Sequence, residues 1–177
     1  FVEPTMGSGY QLTMYYDTEN TYEDENIKIW LPKGALYNTI DFEFSMKRLS
    51  NHRFISPMYS IHTIYTPVHK KYELSIKPDT LESALRNKAL IVSVENDNSL
   101  NPAGGEWNNG VLQTSVNEFG RFCVVVDTIP PQISPKNFTQ GKHRTDYVDF
   151  TNQASVSFTI NDDISGIKSY NGYINNE

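Results

Sequence analysis

Apolar and polar residues alternate with period two through most of the chain, between breaks supplied by Gly, Pro and Asn. That period puts successive side chains on opposite faces of an extended strand. In Ile27-Lys28-Ile29-Trp30-Leu31 the three aliphatic residues share one face and Lys28 and Trp30 the other, and Pro32-Lys33-Gly34 then ends the run. Ile40, Phe42 and Phe44 alternate with Asp41 and Glu43 in the same way. The pattern predicts further strands over 10–16, 61–65, 72–76, 90–94, 111–116, 122–126, 154–160 and 167–173. Only 80–86, which follows Pro78-Asp79, has helical character, as one or two capped turns between strands. Many short strands at this spacing predict an all-β chain of tandem immunoglobulin-like β-sandwiches rather than βαβ units.

The stretch 127–135 carries Pro130, Pro131 and Pro135, each without a ladder donor. It divides the chain into a β-sandwich domain over 1–127, a proline-rich linker over 128–135 and a partial immunoglobulin-like sandwich over 136–177. The last segment offers about three strands against the roughly seven of a full immunoglobulin-type sandwich, so the second sandwich is expected to be truncated. A first residue of Phe1 rather than Met is expected for a processed or cut chain whose signal peptide is gone.

Composition narrows the function classes. The 177 residues are 38% hydrophobic and 12% aromatic, enough to bury a core. Fifteen Lys+Arg against 21 Asp+Glu leave a charge of -6, unsuited to gripping nucleic acid or anionic lipid. Mean hydropathy is -0.51, and the longest apolar run, 122–126, falls far short of the roughly 20 residues of a membrane span. A single cysteine, Cys123, excludes an intrachain disulfide and a multi-cysteine zinc site.

Candidate chemistry is sparse. The acidic stretch 17–25 has oxygen ligands for calcium, yet an EF-hand loop from Asp17 needs glycine where Tyr22 stands and glutamate where Lys28 stands. It reads as a solvated hairpin. His52, His62, His69 and His143 match no zinc spacing and read as surface or edge residues, with His62 on a strand and His69 in a turn. Cys123 lies in a run typical of a strand buried on both faces, so it reads as core rather than nucleophile. No Gly-x-Ser-x-Gly elbow, Ser-x-x-Lys pair or phosphate-binding glycine loop occurs. The expectation is therefore no catalytic residue, no cofactor and no metal. The 161–167 stretch reads as turn chemistry, with Gly166 at positive φ, and as a calcium contact only if a second acidic loop faces it. Aromatic residues suggest binding instead: Trp107, read as a loop residue among Gly104-Gly105-Glu106 and Asn108-Asn109-Gly110, and Trp30 are the candidate ligand contacts, able to stack on sugar rings; the competing readings are that Trp107 folds back as a lid over the sandwich end and that a second core or a partner covers Trp30.

Residues 119–131, followed by Ile133 and Pro135 and then by 162–170, resemble the non-catalytic C-terminal β-sandwich region of Bacteroidetes M23-family (lysostaphin-like) peptidases. Leu31-Pro32-Lys33-Gly34-Ala35-Leu36-Tyr37, Ser56-Pro57-Met58-Tyr59 and Tyr65-Thr66-Pro67-Val68-His69 carry the same resemblance. The family's zinc ligands, an H-x(n)-D pair and an H-x-H pair, have no counterpart in the chain. The resemblance implies a non-catalytic accessory module of an exported, peptidoglycan-directed M23-type metallopeptidase in the periplasm or at the cell surface. Its implied partners are peptidoglycan or another glycan, or an upstream catalytic domain. Asp79-Thr80-Leu81 and Asp127-Thr128-Ile129 resemble the O-glycosylation signal of Bacteroidetes envelope proteins, in keeping with export. The alternative is a free-standing cell-envelope glycan-binding or adhesion module in which Trp107 and Trp30 stack on sugar. A small hydrolase is a third reading, opposed by the lack of any nucleophile–base or metal spacing.

Overall fold

The computed structural model describes residues 9–136 and 155–173. The chain divides into two compact units, Phe1–Asp127 and Thr128–Glu177. The first holds β1 (Gly9–Met14), β2 (Asn20–Asp24), β3 (Ile27–Leu31), β4 (Ile40–Lys47), β5 (Met58–Ile61) and β6 (Pro67–Ile76). It continues through a 3-10 turn at Ser83–Lys88 to β7 (Ala89–Val94), β8 (Leu100–Gly104), β9 (Glu106–Asn108), β10 (Val111–Glu118) and β11 (Gly120–Val126). The second unit holds β12 (Gln132–Pro135) and β13 (Phe158–Asn161) among its described residues.

The first unit is a two-sheet sandwich. One sheet has six strands in the order β1-β4-β5-β11-β7-β8 and the other five in the order β2-β3-β6-β10-β9. Every strand pairing in them is antiparallel. The alternation read from the sequence becomes the core: Ile27, Ile29 and Leu31 of β3 and Tyr72, Leu74 and Ile76 of β6 are buried, with Leu112 and Val116 of β10 beside them. Facing them from the six-stranded sheet are Phe42, Phe44, Tyr59, Ile61, Ile91, Phe122 and Val124, all in one hydrophobic cluster. Each such aliphatic or aromatic side chain contributes about 1.5–3 kcal/mol on burial. The apolar run of β11 is buried on both faces, Phe122 and Val124 inward and Cys123 and Val125 outward. The eleven strands described in the first unit exceed the seven to nine of immunoglobulin-type sandwiches.

Several predicted elements move. The strand expected over 61–65 lies instead at β5, because His62 takes a left-handed φ of 49° and turns the chain. His69 is on β6 rather than in a turn, since that strand begins five residues earlier than its apolar pattern shows. The helical segment is a 3-10 turn displaced toward Lys88, with no side-chain cap at its start. In the second unit β12 occupies the last four residues of the predicted linker, pairing Ile133 with Ile160. Among the described residues β12 and β13 form a two-stranded ribbon, and Lys136 rather than Pro135 donates across it, to the carbonyl of Ser157 (2.9 Å). The strand expected over 154–160 is shorter, at β13. Residues 167–173 form no strand: Ile167, Tyr170 and Tyr173 are all exposed, and alternation with no face to bury does not hold a segment extended. The 161–167 stretch is a turn, with Asp162 Oδ1 accepting the backbone N–H of Ile164 (3.1 Å) and Gly166 (2.8 Å), and Gly166 at φ 77°.

Candidate binding surface

Core-facing residues of the five-stranded sheet leave their neighbours on its outer face. Cross-strand pairing sets these in rows: Thr21, Trp30, Glu73 and Ser115 in one, and Glu23, Lys28, Ser75, Gln113 and Glu106 in the next. These rows are polar apart from Trp30, which is half-buried. Lys28 and Glu23 form an ion pair at 3.1 Å. Asn108 Nδ2 donates to Gln113 Oε1 (2.9 Å), and Gln113 Nε2 donates to Ser75 Oγ (3.0 Å), which fixes both amide planes. An open groove of about 580 Å³ runs over this region, walled by Glu73, Glu106, Asn108, Gln113 and Ser115. Gly105 sits at its rim with φ 147°, and a Cβ there would lie 2.8 Å from Leu112 Cγ, so the close approach of the β8–β9 corner to β10 requires glycine.

Trp30 therefore stands where the alternation put it, across from Glu73 on the outer face. Trp107 does not. It is on β9 rather than in a loop, and it pairs with Leu112, which turns its indole toward the core side of the sheet. Its Nε1–H donates to the carbonyl of Arg86 (2.7 Å), and the Arg86 guanidinium lies over the ring at 5.5 Å. With its N–H committed and one face covered, Trp107 is a wall of the sandwich edge that borders the groove, not a platform.

A second surface, marked by no motif, is built from loops. At the end of the sandwich where β1, β3 and β5 finish, three loops expose Tyr15, Tyr16, Tyr37, Ile64 and Tyr65, the last 85% exposed. A groove of about 260 Å³ lies among Leu36, Tyr37, Asn38, Ile40, Tyr65 and Pro67. The loops are tied down. The buried Asn20 amide accepts the N–H of Tyr15 (2.8 Å) and donates to the carbonyls of Tyr15 (2.8 Å) and Thr18 (3.2 Å). Gly34 N–H donates to Tyr16 O (3.0 Å), and His69 N–H to Ala35 O (2.8 Å). Tyr37 packs edge-on against the His69 ring, with its hydroxyl 3.1 Å from Nδ1. The Tyr15-Tyr16 doublet and the placement of Tyr37 and Tyr65 beside Asn, Thr and Pro were the available signals, but nothing local brings them together.

The remaining candidates resolve simply. Cys123 is fully buried, and burial pushes its thiol up to about 12, so it is held as the unreactive thiol. His62 is not a surface residue: its ring sits between Phe42 and Phe119, with Nε2 2.9 Å from Thr66 Oγ1, and burial lowers its proton affinity against a smaller opposing effect of Glu43. His52 is exposed, and His143 lies outside the described residues. Asp17, Glu19, Glu23, Asp24 and Glu25 are exposed along the β2–β3 hairpin and the turn before it. No helix among the described residues is long and apolar enough to cross a membrane.

Fold and surface together define an all-β sandwich domain with a polar outer sheet face and an aromatic loop end. The model of the Zu5-like domain matches residues 11–127, nearly the whole first unit, and the chain belongs to that family. No curated protein matches the chain.

Proposed function

We propose that the chain is a non-catalytic accessory module of an exported, peptidoglycan-directed M23-type metallopeptidase, and that it holds glycan on the outer face of the five-stranded sheet. The observation carrying this is that Trp30 stands across from Glu73 beside a groove lined by pre-oriented amides and carboxylates. Sugar rings present flat C–H faces that stack on an indole, and their hydroxyls pair with planar amide and carboxylate groups. Amides already locked in place lose little freedom when the ligand arrives. The groove has the volume of ordinary small-ligand sites.

The peptidase setting rests on the resemblance of residues 119–131 and 162–170, and with it come location in the periplasm or at the cell surface and an upstream catalytic domain as partner. In the same reading Thr128–Glu177 belongs to a second immunoglobulin-like sandwich. A free-standing envelope glycan-binding or adhesion module would use the same sheet face without the peptidase.

Co-sedimentation of the purified chain with insoluble peptidoglycan tests the reading. The chain should pellet with the polymer and release no soluble fragments, and Trp30→Ala or Glu73→Ala should weaken retention about tenfold, the equivalent of about 1.4 kcal/mol. Retention unchanged by both substitutions would exclude this face. Released fragments would overturn the non-catalytic assignment.

A further inference from the structure

The sheet-face groove is walled in part by two glutamates, Glu73 and Glu106. Glu73 of β6 pairs with Ser115 of β10, and Glu106 of β9 pairs with Gln113 of the same strand. The two are therefore two strands and two residues apart on one face, roughly 12 Å between Cα atoms. Both are exposed, and the small residues Gly105 and Ser115 line the groove with them. Side chains reaching inward from these positions can meet on a single small group.

Neither carboxylate has an ion-pair or hydrogen-bond partner among the described residues. No Lys, Arg or His among them lines the groove. Lys28, in the same cross-strand row as Glu106, is held by Glu23 at 3.1 Å. The amides add to the bias. Asn108 Nδ2 donates to Gln113 Oε1 and Gln113 Nε2 to Ser75 Oγ, so one hydrogen of each amide is spent within the sheet. Asn108 Oδ1 and four carboxylate oxygens remain, and acceptors outnumber donors.

We infer that this groove holds a primary ammonium group between Glu73 and Glu106, so that its ligand is an amine-bearing part of the wall polymer: a sugar whose amino group carries no acetyl, or the side-chain amine of an attached peptide. This rests on the glycan reading above and adds the charge that the ligand must carry. An ammonium has three donors and no acceptor, the complement of an acceptor-rich groove. Its hydrogen bonds to carboxylate are about twice as strong as neutral ones. The chain's charge of -6 favours the approach of a cation. An anionic sugar would meet two carboxylates with no cation between them, and a neutral one would desolvate both without a counter-charge.

Calorimetric titration of the chain with a glucosamine tetramer and with its N-acetylated counterpart, in a buffer that keeps the amine charged, tests the site. The free amine should bind at least about tenfold more tightly, and added salt should narrow the gap. Glu73→Gln and Glu106→Gln preserve the size of exposed side chains and should each remove most of that preference while leaving affinity for the acetylated tetramer unchanged, with thermal melts showing that the variants remain folded. A short peptide carrying one lysine, titrated beside its acetyl-lysine form, separates the two sources. A preference in the sugar pair supports an amino-sugar ligand, and a preference in the peptide pair alone supports a peptide amine. Equal binding of free and acetylated forms in both pairs, or a preference that survives both substitutions, would overturn the ammonium site while leaving a glycan site on this face standing. Failure of all four probes and of insoluble peptidoglycan to bind would overturn both.

Discussion

His62 combines a left-handed backbone, at φ 49°, with a ring enclosed between Phe42 and Phe119 at centroid distances of 6.1 and 5.2 Å. Burial disfavours its protonated form, so the folded chain binds that proton less readily than the unfolded chain. Stability from this residue is complete above the ordinary value of 6.5 and is lost as pH falls through 6.5 toward the lowered folded value. Thermal melts of His62→Asn check this. Asparagine tolerates the left-handed turn, so the variant should melt lower at neutral pH through lost ring packing, yet decline less steeply than the parent on acidification. An equal decline would place the acid sensitivity elsewhere. Residue-level reading of the sequence served Trp30 well, because strand alternation alone puts it opposite the aliphatic face. For Trp107 the ligand-contact reading misplaced the residue in a loop, while the competing reading of a lid folded back on the sandwich agrees with its packing against the core, an orientation set by Leu112 across the ladder and by Arg86, 21 positions away.

Short connections between strands set what the surface offers. Asn20 is buried at the start of β2, and its three hydrogen bonds close the turn that presents Tyr15 and Tyr16. Asn20→Ala should destabilise the chain by about 0.5–1.5 kcal/mol for each hydrogen bond that the buried amide makes to the backbone of Tyr15 and Thr18. A domain of this size would then melt lower by roughly 2–4 °C per kcal/mol. A melting temperature equal to the parent's would show that the turn closes without the amide. Elements carrying strong alternation, β3 and β4, were legible to the residue or nearly so. Weak ones were not: β8 contains Pro102 between the exposed Asn101 and Gly104, and it is a strand because β7 pairs with it.

The sandwich as a whole shields its one thiol. Cys123 lies in β11, between β5 and β7 and far from any sheet edge, with its thiol pushed up to about 12 by burial. Labelling with a maleimide in native buffer should therefore proceed only through opening of the six-stranded sheet, and its rate should follow the unfolding free energy measured in urea. Rapid labelling below the urea transition would reveal a local opening of β11. The burial of Cys123 was readable from its apolar run, which is that of a strand covered on both faces.

Local pattern determined the all-β class, the inward faces of the long strands and the points where Gly, Pro and Asn turn the chain, because side-chain period and backbone sterics act between near neighbours. Sheet order is another matter: β11 sits between β5 and β7, and β6 between β3 and β10, through pairings that link residues dozens of positions apart. Such pairings decide that three loops gather Tyr15, Tyr37 and Tyr65 at one end and that Glu73 and Glu106 wall one groove. They depend on which buried faces fit one another in three dimensions, and no window of sequence contains both partners.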